Sequence, residues 1–81
     1  MTDNATRPSV ATQLAEFWRE LLDTDAVDQD DRLLEVGGNS LVATMLANRI
    51  ELAWGFRPGM EELMTASFRE LVSRCEESRG F

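Results

Sequence analysis

Apolar residues recur at helical spacing along most of this chain, and no segment alternates between apolar and polar residues with a period of two. Near the start, Val10, Leu14, Phe17 and Leu21 follow one another at intervals of three or four residues. An α-helix brings residues at those intervals to one face, whereas a half-buried strand needs strict alternation. The pattern therefore predicts an all-α fold, a small bundle of three main helices and one short helix.

Capping residues and chain breakers predict where these helices begin and end. Ser9 is a suitable N-cap for the first helix, Gly55 can end the second, and Ser67 with Glu70 matches a capping box before the last. The helices are expected at residues 10–22, 40–52, 60–64 and from 67 onward. The residues expected in or beside the core are Trp18, Val27, Leu33, Leu34, Val42, Leu46, Arg49, Ile50, Ala53, Trp54, Phe68, Leu71, Val72 and Cys75.

The length of 81 residues suits one small domain, which buries only about 60% of the surface that its unfolded form exposes. Residues 9–77 are predicted to form this domain, between a flexible N-terminal lead-in at 1–8 and a C-terminal tail at 78–81. The chain begins at Met1 and carries no linker, so a discrete protein is expected, with a domain excised from a longer protein as the alternative. We take it to be a monomer.

Fifteen acidic residues against eight Arg and no Lys give the chain a net charge of −7. Such a surface repels nucleic acid and anionic lipid, and it accelerates the approach of basic protein partners. The N-terminus lacks the basic cluster and apolar run of a signal peptide, and no apolar stretch has the length of a membrane span. A cytoplasmic protein is predicted, with neither nucleic acid nor a membrane as its partner.

The chain has no His and a single Cys, Cys75. This composition excludes an internal disulfide and a Cys-based zinc site, and it removes the usual base partner of a Ser nucleophile. The acidic connection at residues 23–31 lacks the Gly and Glu positions of an EF-hand loop. We therefore expect no metal site and no catalytic residues.

The segment LLEVGGNSL, residues 33–41, is the candidate for chemistry. Gly37 and Gly38 allow backbone conformations closed to other residues and leave the approach to Ser40 open. Ser40 begins a helix, where free amides and the helix dipole favour an anion. Taken alone, however, Gly-Gly-Asn-Ser is better explained as a turn followed by a helix cap, since Asn39 and Ser40 both cap helices well. A Walker-type phosphate loop is excluded because the chain has no Lys.

The longer pattern resembles the thiolation domains, the family of peptidyl and acyl carrier proteins, whose signature is Gly-Gly-(His, Asn or Asp)-Ser-Leu. The resemblance covers residues 14–75 and includes a first helix ending in Leu-Leu, a long first connection and Ser40 at the head of the second helix. It departs from the family where Leu33 and Leu34 stand in place of a common Phe, and where residues 64–67 lack the usual Phe and Pro.

In that family a phosphopantetheinyl transferase attaches a 4′-phosphopantetheine arm from coenzyme A to the Ser, and the arm's thiol holds substrates as thioesters. The resemblance implies that Ser40 is the attachment residue and that Gly37, Gly38 and Asn39 shape its loop. It also implies a non-catalytic carrier protein, a covalent shuttle that presents aminoacyl or acyl intermediates to partner enzymes.

Asn39 stands where acyl carriers usually have Asp, and this makes the chain more similar to the peptidyl carrier proteins of nonribosomal peptide synthesis, a route to natural products such as antibiotics. The similarity predicts loading by a separate adenylation enzyme, followed by condensing or tailoring enzymes. An acyl carrier protein of polyketide or fatty-acid type is the alternative within the family. A noncovalent helical adaptor, in which Ser40 merely caps a helix, is the alternative from another class.

Leu41 and Met45 lie one helical turn apart and form an apolar flank beside Ser40. We predict that they are docking residues for partner enzymes, for which the flexible Met side chain is well suited. The competing interpretation places both side chains in the periphery of the core.

Overall fold

The computed structural model describes residues 9–79, which form four helices and no strand. α1 spans Val10–Leu22, α2 spans Ser40–Trp54, α3 spans Met60–Thr65 and α4 spans Phe68–Arg79. The predicted all-α bundle of three main helices and one short helix is confirmed. α4 continues two residues beyond the predicted domain end at 77, while the lead-in at 1–8 and the last two residues of the predicted tail lie outside the described residues.

One core contains apolar residues from all four helices and from the first connection. It is formed by Val10, Leu14, Trp18, Leu33, Ala43, Leu46, Ala47, Ile50, Leu63, Phe68, Leu71 and Cys75. The rings of Trp18 and Phe68 meet edge to face with their centroids 5.4 Å apart. This contact joins the middle of α1 to the first residue of α4.

Two residues expected in the core are not there. α2 turns Ala43 and Ala47 toward the core. The prediction for Ala53 is wrong, because that residue is exposed. The prediction for Leu34 is also wrong, since its side chain is 56% exposed. In the tight turn around residue 34, only the preceding Leu33 points inward.

α1 and α2 are joined at their margin by a group of aromatic and charged side chains. The Phe17 and Trp54 rings lie 5.8 Å apart, and the Arg49 guanidinium lies 5.7 Å from the centroid of the Phe17 ring. Arg49 also forms an ion pair with Glu20. These contacts explain why Arg49, which follows the apolar spacing of α2, is only half-buried.

The capping box predicted before α4 is confirmed in both of its hydrogen bonds. The Ser67 amide donates to Glu70 Oε1 at 2.9 Å, and the Glu70 amide donates to Ser67 Oγ at 3.2 Å. Helices leave their first four amides without intrahelical partners. The capping box therefore satisfies two of the four at the start of α4.

The remaining two amides at the start of α4 bind the long first connection. The amide of Phe68 donates to the carbonyl of Asp31 at 2.7 Å, and the amide of Arg69 donates to the carbonyl of Gln29 at 3.0 Å. These two bonds attach the acidic first connection to α4, which lies nearly forty residues further along the chain. No regular structure is predicted for this connection from the sequence. The next residues of this connection, 33–39, lead directly to the head of α2.

Candidate functional site

Ser40 is the first residue of α2 and is exposed, but it is not the residue that caps the helix. Asn39 is the N-cap, with extended backbone, and its Oδ1 accepts a hydrogen bond from the Val42 amide at 3.0 Å. Within residues 9–79, the Ser40 hydroxyl has no hydrogen-bond partner, although the Ser40 carbonyl accepts from the Thr44 hydroxyl at 2.9 Å. The Ser40 hydroxyl is therefore free to react.

The two glycines before Asn39 have different roles. Gly37 has a φ of +96°, a conformation that residues with a Cβ rarely adopt. Gly38 is needed for space, because a Cβ placed there would lie 2.4 Å from Leu33 Cγ and 2.8 Å from the Leu33 carbonyl oxygen. Its amide donates to that same carbonyl at 2.7 Å. Buried Leu33 thus anchors the loop that presents Ser40, as its predicted role in the core requires.

Gly38→Ala should lower the free energy of unfolding by about 1–3 kcal/mol, because the new methyl group must displace the Leu33 backbone or distort the turn. Gly59→Ala is the matched control, since Gly59 has a φ of −71° and no atom within 4 Å of an added Cβ. Urea unfolding followed by circular dichroism measures both variants. Equal midpoints for the two variants would contradict the steric role of Gly38.

The surroundings of Ser40 suit an anion. Residues 36–45 contain no titratable side chain, so no fixed negative charge from this segment opposes one. Among the described residues, the amides of Ser40 and Leu41 have no hydrogen-bond partner, and they lie at the positive end of the 15-residue helix α2. A phosphate ester on the Ser40 hydroxyl would thus be compatible with the local charge, the free amides and the open approach over Gly37.

The structure places Leu41 and Met45 at the surface rather than in the core, with side chains 66% and 39% exposed. Leu34 and Val36, just before the glycines, are exposed as well. Apolar side chains therefore precede and follow Ser40 along the chain. The docking role of Leu41 and Met45 remains a prediction.

Leu52 is an exposed apolar residue that the sequence analysis did not single out, and its side chain is 89% exposed. It lies seven residues after Met45, which itself lies four residues after Leu41, and residues at these intervals share one helical face, with exposed Asn48 between Met45 and Leu52. That spacing was the available signal. The prediction for α2 considered only the stripe that includes Val42, Leu46 and Ile50, and Leu52 lies off that stripe.

Cys75 is fully buried in α4, as predicted for a structural Cys. Burial, which disfavours the thiolate, raises the pKa of Cys75 to about 12, and the negative charge of Glu62 adds to the effect. The thiol therefore stays protonated near neutral pH and is a poor nucleophile.

A shallow groove of about 320 Å³ lies on another part of the surface, between α1, the first connection and Phe68. None of its lining residues belongs to segment 33–45, so it is separate from the Ser40 site. The part of the chain that the structure describes contains no group of three or more potential metal ligands. Likewise, no helix within residues 9–79 combines the length and apolar character needed to cross a membrane.

Comparison with known protein families finds a match that covers most of the chain. A family model described as "phosphopantetheine attachment site" matches residues 12–75, from the first turns of α1 to the buried Cys75 in α4. The matched span includes Ser40 and the whole of its loop. No solved structure matched the chain.

Proposed function

The chain belongs to the phosphopantetheine attachment family of carrier proteins, and from that membership we propose that Ser40 is the residue that bears the prosthetic group. Members of this family carry a 4′-phosphopantetheine group, whose terminal thiol holds acyl groups as thioesters. The observation that supports Ser40 is its free, exposed hydroxyl at the positive end of α2. Gly37, Gly38 and Asn39 hold the loop in the conformation that exposes it.

The attachment reaction places one chemical demand on this chain, which is an accessible hydroxyl. The Ser40 oxygen forms a bond to the phosphorus of coenzyme A that carries the pantetheine. The bond from that phosphorus to the adenosine 3′,5′-bisphosphate leaving group breaks, and the hydroxyl proton departs. Since residues 36–45 offer no titratable side chain and the chain has no His, the proton acceptor belongs to the transferase. This supports a substrate role for the chain, rather than a catalytic one.

The geometry also favours the carrier over a noncovalent adaptor. In the adaptor hypothesis the Ser40 hydroxyl has a structural task, to cap α2. Asn39 performs that task through its bond to the Val42 amide. The Ser40 hydroxyl is then not needed to cap the helix, whereas the carrier role requires it as the oxygen that bonds to phosphorus.

We further propose that the carrier is of the peptidyl type. A separate adenylation enzyme loads it with an aminoacyl or aryl group, and condensing or tailoring enzymes then act on the bound group. Asn39 before Ser40 supports this type, as does the absence of an acidic residue from positions 36–45. Leu41 and Met45 are proposed to contact these partners, because both are exposed within about two turns of Ser40. Loading is expected to slow as salt rises, since the net charge of −7 steers basic partners toward the protein.

A two-route loading assay tests the peptidyl assignment. The phosphopantetheinylated protein is offered adenylation enzymes with amino or aryl acids and ATP, and in parallel an acyltransferase with malonyl-coenzyme A. We expect adenylate-dependent loading, detected by intact-protein mass spectrometry, to be the efficient route. Efficient malonyl loading without any adenylate-dependent loading would favour the acyl carrier alternative, and failure of the transferase to modify the protein at all would contradict the carrier function of this chain.

A further inference from the structure

All the cationic side chains of this protein are arginines. The chain has eight Arg, no Lys and no His. A guanidinium stays protonated and is not a nucleophile, whereas a fraction of any exposed Lys is a free amine that attacks an activated acyl group. The chain therefore presents neither a side-chain amine nor an imidazole, and this has a chemical consequence for a protein that is proposed to carry thioesters.

The structure accounts for a guanidinium at some of these positions only. The Arg32 Nε, an atom that Lys lacks, donates to the Thr65 carbonyl at 2.8 Å. At Arg69 the structural demand is slighter, because its side chain is 62% exposed and lies 3.4 Å from the Asp30 carboxylate. A Lys ammonium would form that exposed ion pair equally well. The exclusion of Lys thus extends to a position where the fold does not require Arg.

The single Cys of the chain is closed to an acyl group. Cys75 is fully buried in α4, and its raised pKa keeps the thiol protonated near neutral pH. A thioester exchanges with a thiolate, which must also be able to reach the carbonyl carbon. An acyl group on the arm therefore meets no reactive thiol on this chain.

The hydroxyl groups nearest to the arm lack a base that would activate them. Within residues 36–45 they belong to Ser40, to which the arm itself would be attached, and to Thr44. The partly buried Thr44 donates its hydroxyl to the Ser40 carbonyl at 2.9 Å. A hydroxyl is a weak nucleophile until an adjacent base removes its proton, and this segment has no titratable side chain.

A thioester on a flexible arm can return to the surface of its own domain, because the domain has a radius of gyration of only 12.3 Å. A tethered group meets that surface at an effective concentration on the order of millimolar. If a Lys were present there, its nitrogen would bond to the carbonyl carbon, the carbon–sulfur bond would break, and the arm would leave as a thiol with the proton of the amine. The acyl group would then be held as a stable amide and lost to the partner enzymes.

On the basis of the proposed function, we propose that this carrier is inert toward its own cargo, because its arginine-only cations and its buried Cys75 leave no side chain that discharges the thioester of the arm. The protein can therefore hold strongly electrophilic acyl groups. The enzyme that consumes the thioester can be slow without loss of the acyl group to the carrier.

The test places three different side chains at one exposed position close to Ser40. The Leu34 side chain is 56% exposed, and the backbone amide of Leu34, which every replacement keeps, donates to the Met64 carbonyl at 3.3 Å. Leu34→Lys adds an amine and Leu34→Cys adds an accessible thiol. Leu34→Arg is the matched control, since it adds the charge of Lys without the nucleophile.

Phosphopantetheinyl transferase and acetyl-coenzyme A give each protein an acetylated arm in one step. The loss of the thioester is then followed at about pH 9, where more of a Lys side chain is unprotonated than at neutral pH. Intact-protein mass spectrometry is carried out before and after treatment with hydroxylamine, which cleaves thioesters but not amides. Peptide mapping locates any acetyl group that has moved to a side chain.

We expect Leu34→Lys to accumulate a hydroxylamine-resistant acetyl group at a rate independent of protein concentration, and to lose its thioester at least about twofold faster than Leu34→Arg. In Leu34→Cys the acetyl group should divide between the arm and the introduced thiol. The parent and Cys75→Ala should keep their thioesters for equal times, without an acetylated side chain.

An acetylated side chain in the parent would overturn the proposal. Equal thioester lifetimes in Leu34→Lys and Leu34→Arg would do so as well, as would an introduced thiol that stays free or a longer lifetime in Cys75→Ala than in the parent. Failure of the transferase to modify the parent at all would instead contradict the proposed function.

Discussion

Ser40→Ala should abolish attachment of phosphopantetheine completely, while the parent protein gains the mass of one group in the presence of coenzyme A and transferase. The reason is chemical, since the oxygen that forms the bond to phosphorus is removed. The fold should be retained because Asn39, and not Ser40, caps α2, and because Ser40 is exposed. Intact-protein mass spectrometry measures the modification, and circular dichroism measures the helical content.

Ser73→Ala is the matched control for this experiment. Ser73 is an exposed Ser in the middle of α4, without a glycine pair before it or a helix head around it. That variant should be modified as the parent is. Residual modification of Ser40→Ala, or loss of modification in Ser73→Ala, would show that the attachment residue has been assigned wrongly.

Leu46→Glu should unfold the domain. Leu46 is fully buried on the inner face of α2, and no cationic partner is described beside it. An unpaired carboxylate there costs several kcal/mol, and the lost packing of Leu costs about 2–5 kcal/mol more. A domain of this length has a total stability of about 4–12 kcal/mol. Loss of the far-ultraviolet helical signal and of a cooperative thermal transition is the expected observation.

Leu41→Glu introduces the same side chain on the same helix and serves as the contrast. Because Leu41 is 66% exposed, its replacement should change the unfolding midpoint little while slowing modification of Ser40 and loading of the thiol. If Leu41→Glu unfolds, Leu41 contributes to the core and its docking role is excluded. If Leu46→Glu folds normally, the inner face of α2 has been assigned incorrectly.

The features that could be predicted from sequence depend on residues close together in the chain. The caps at Ser9 and Gly55 and the capping box at Ser67 are formed within one helical turn, so residue type and spacing are enough to locate them. The proposed site at Ser40 differs from these caps, because Gly-Gly-Asn-Ser alone favours a turn and a cap, and only the longer resemblance over residues 14–75 indicates an attachment residue. The choice between Asn39 and Ser40 as the cap could not be made in this way, because both residue types cap helices well and only the geometry separates them.

The errors concern contacts between distant segments. The rotation of α2 about its axis depends on how closely its neighbours approach Ala43 and Ala47, and a periodic pattern with apolar residues on two faces is consistent with more than one rotation. The exposure of Leu34 depends on a turn in which Gly38 packs against Leu33, a contact that residue type alone does not imply.

The two hydrogen bonds between the first connection and α4 give this protein an internal reporter of loop opening. The amides of Phe68 and Arg69 are protected from exchange with solvent deuterium by the carbonyls of Asp31 and Gln29, and not by their own helix. Their exchange therefore requires the connection to separate from α4, even when the helix itself stays intact. A partner enzyme that displaces this connection when it binds at Ser40 would accelerate exchange at these two amides. The amides belong to α4, which the enzyme does not need to contact.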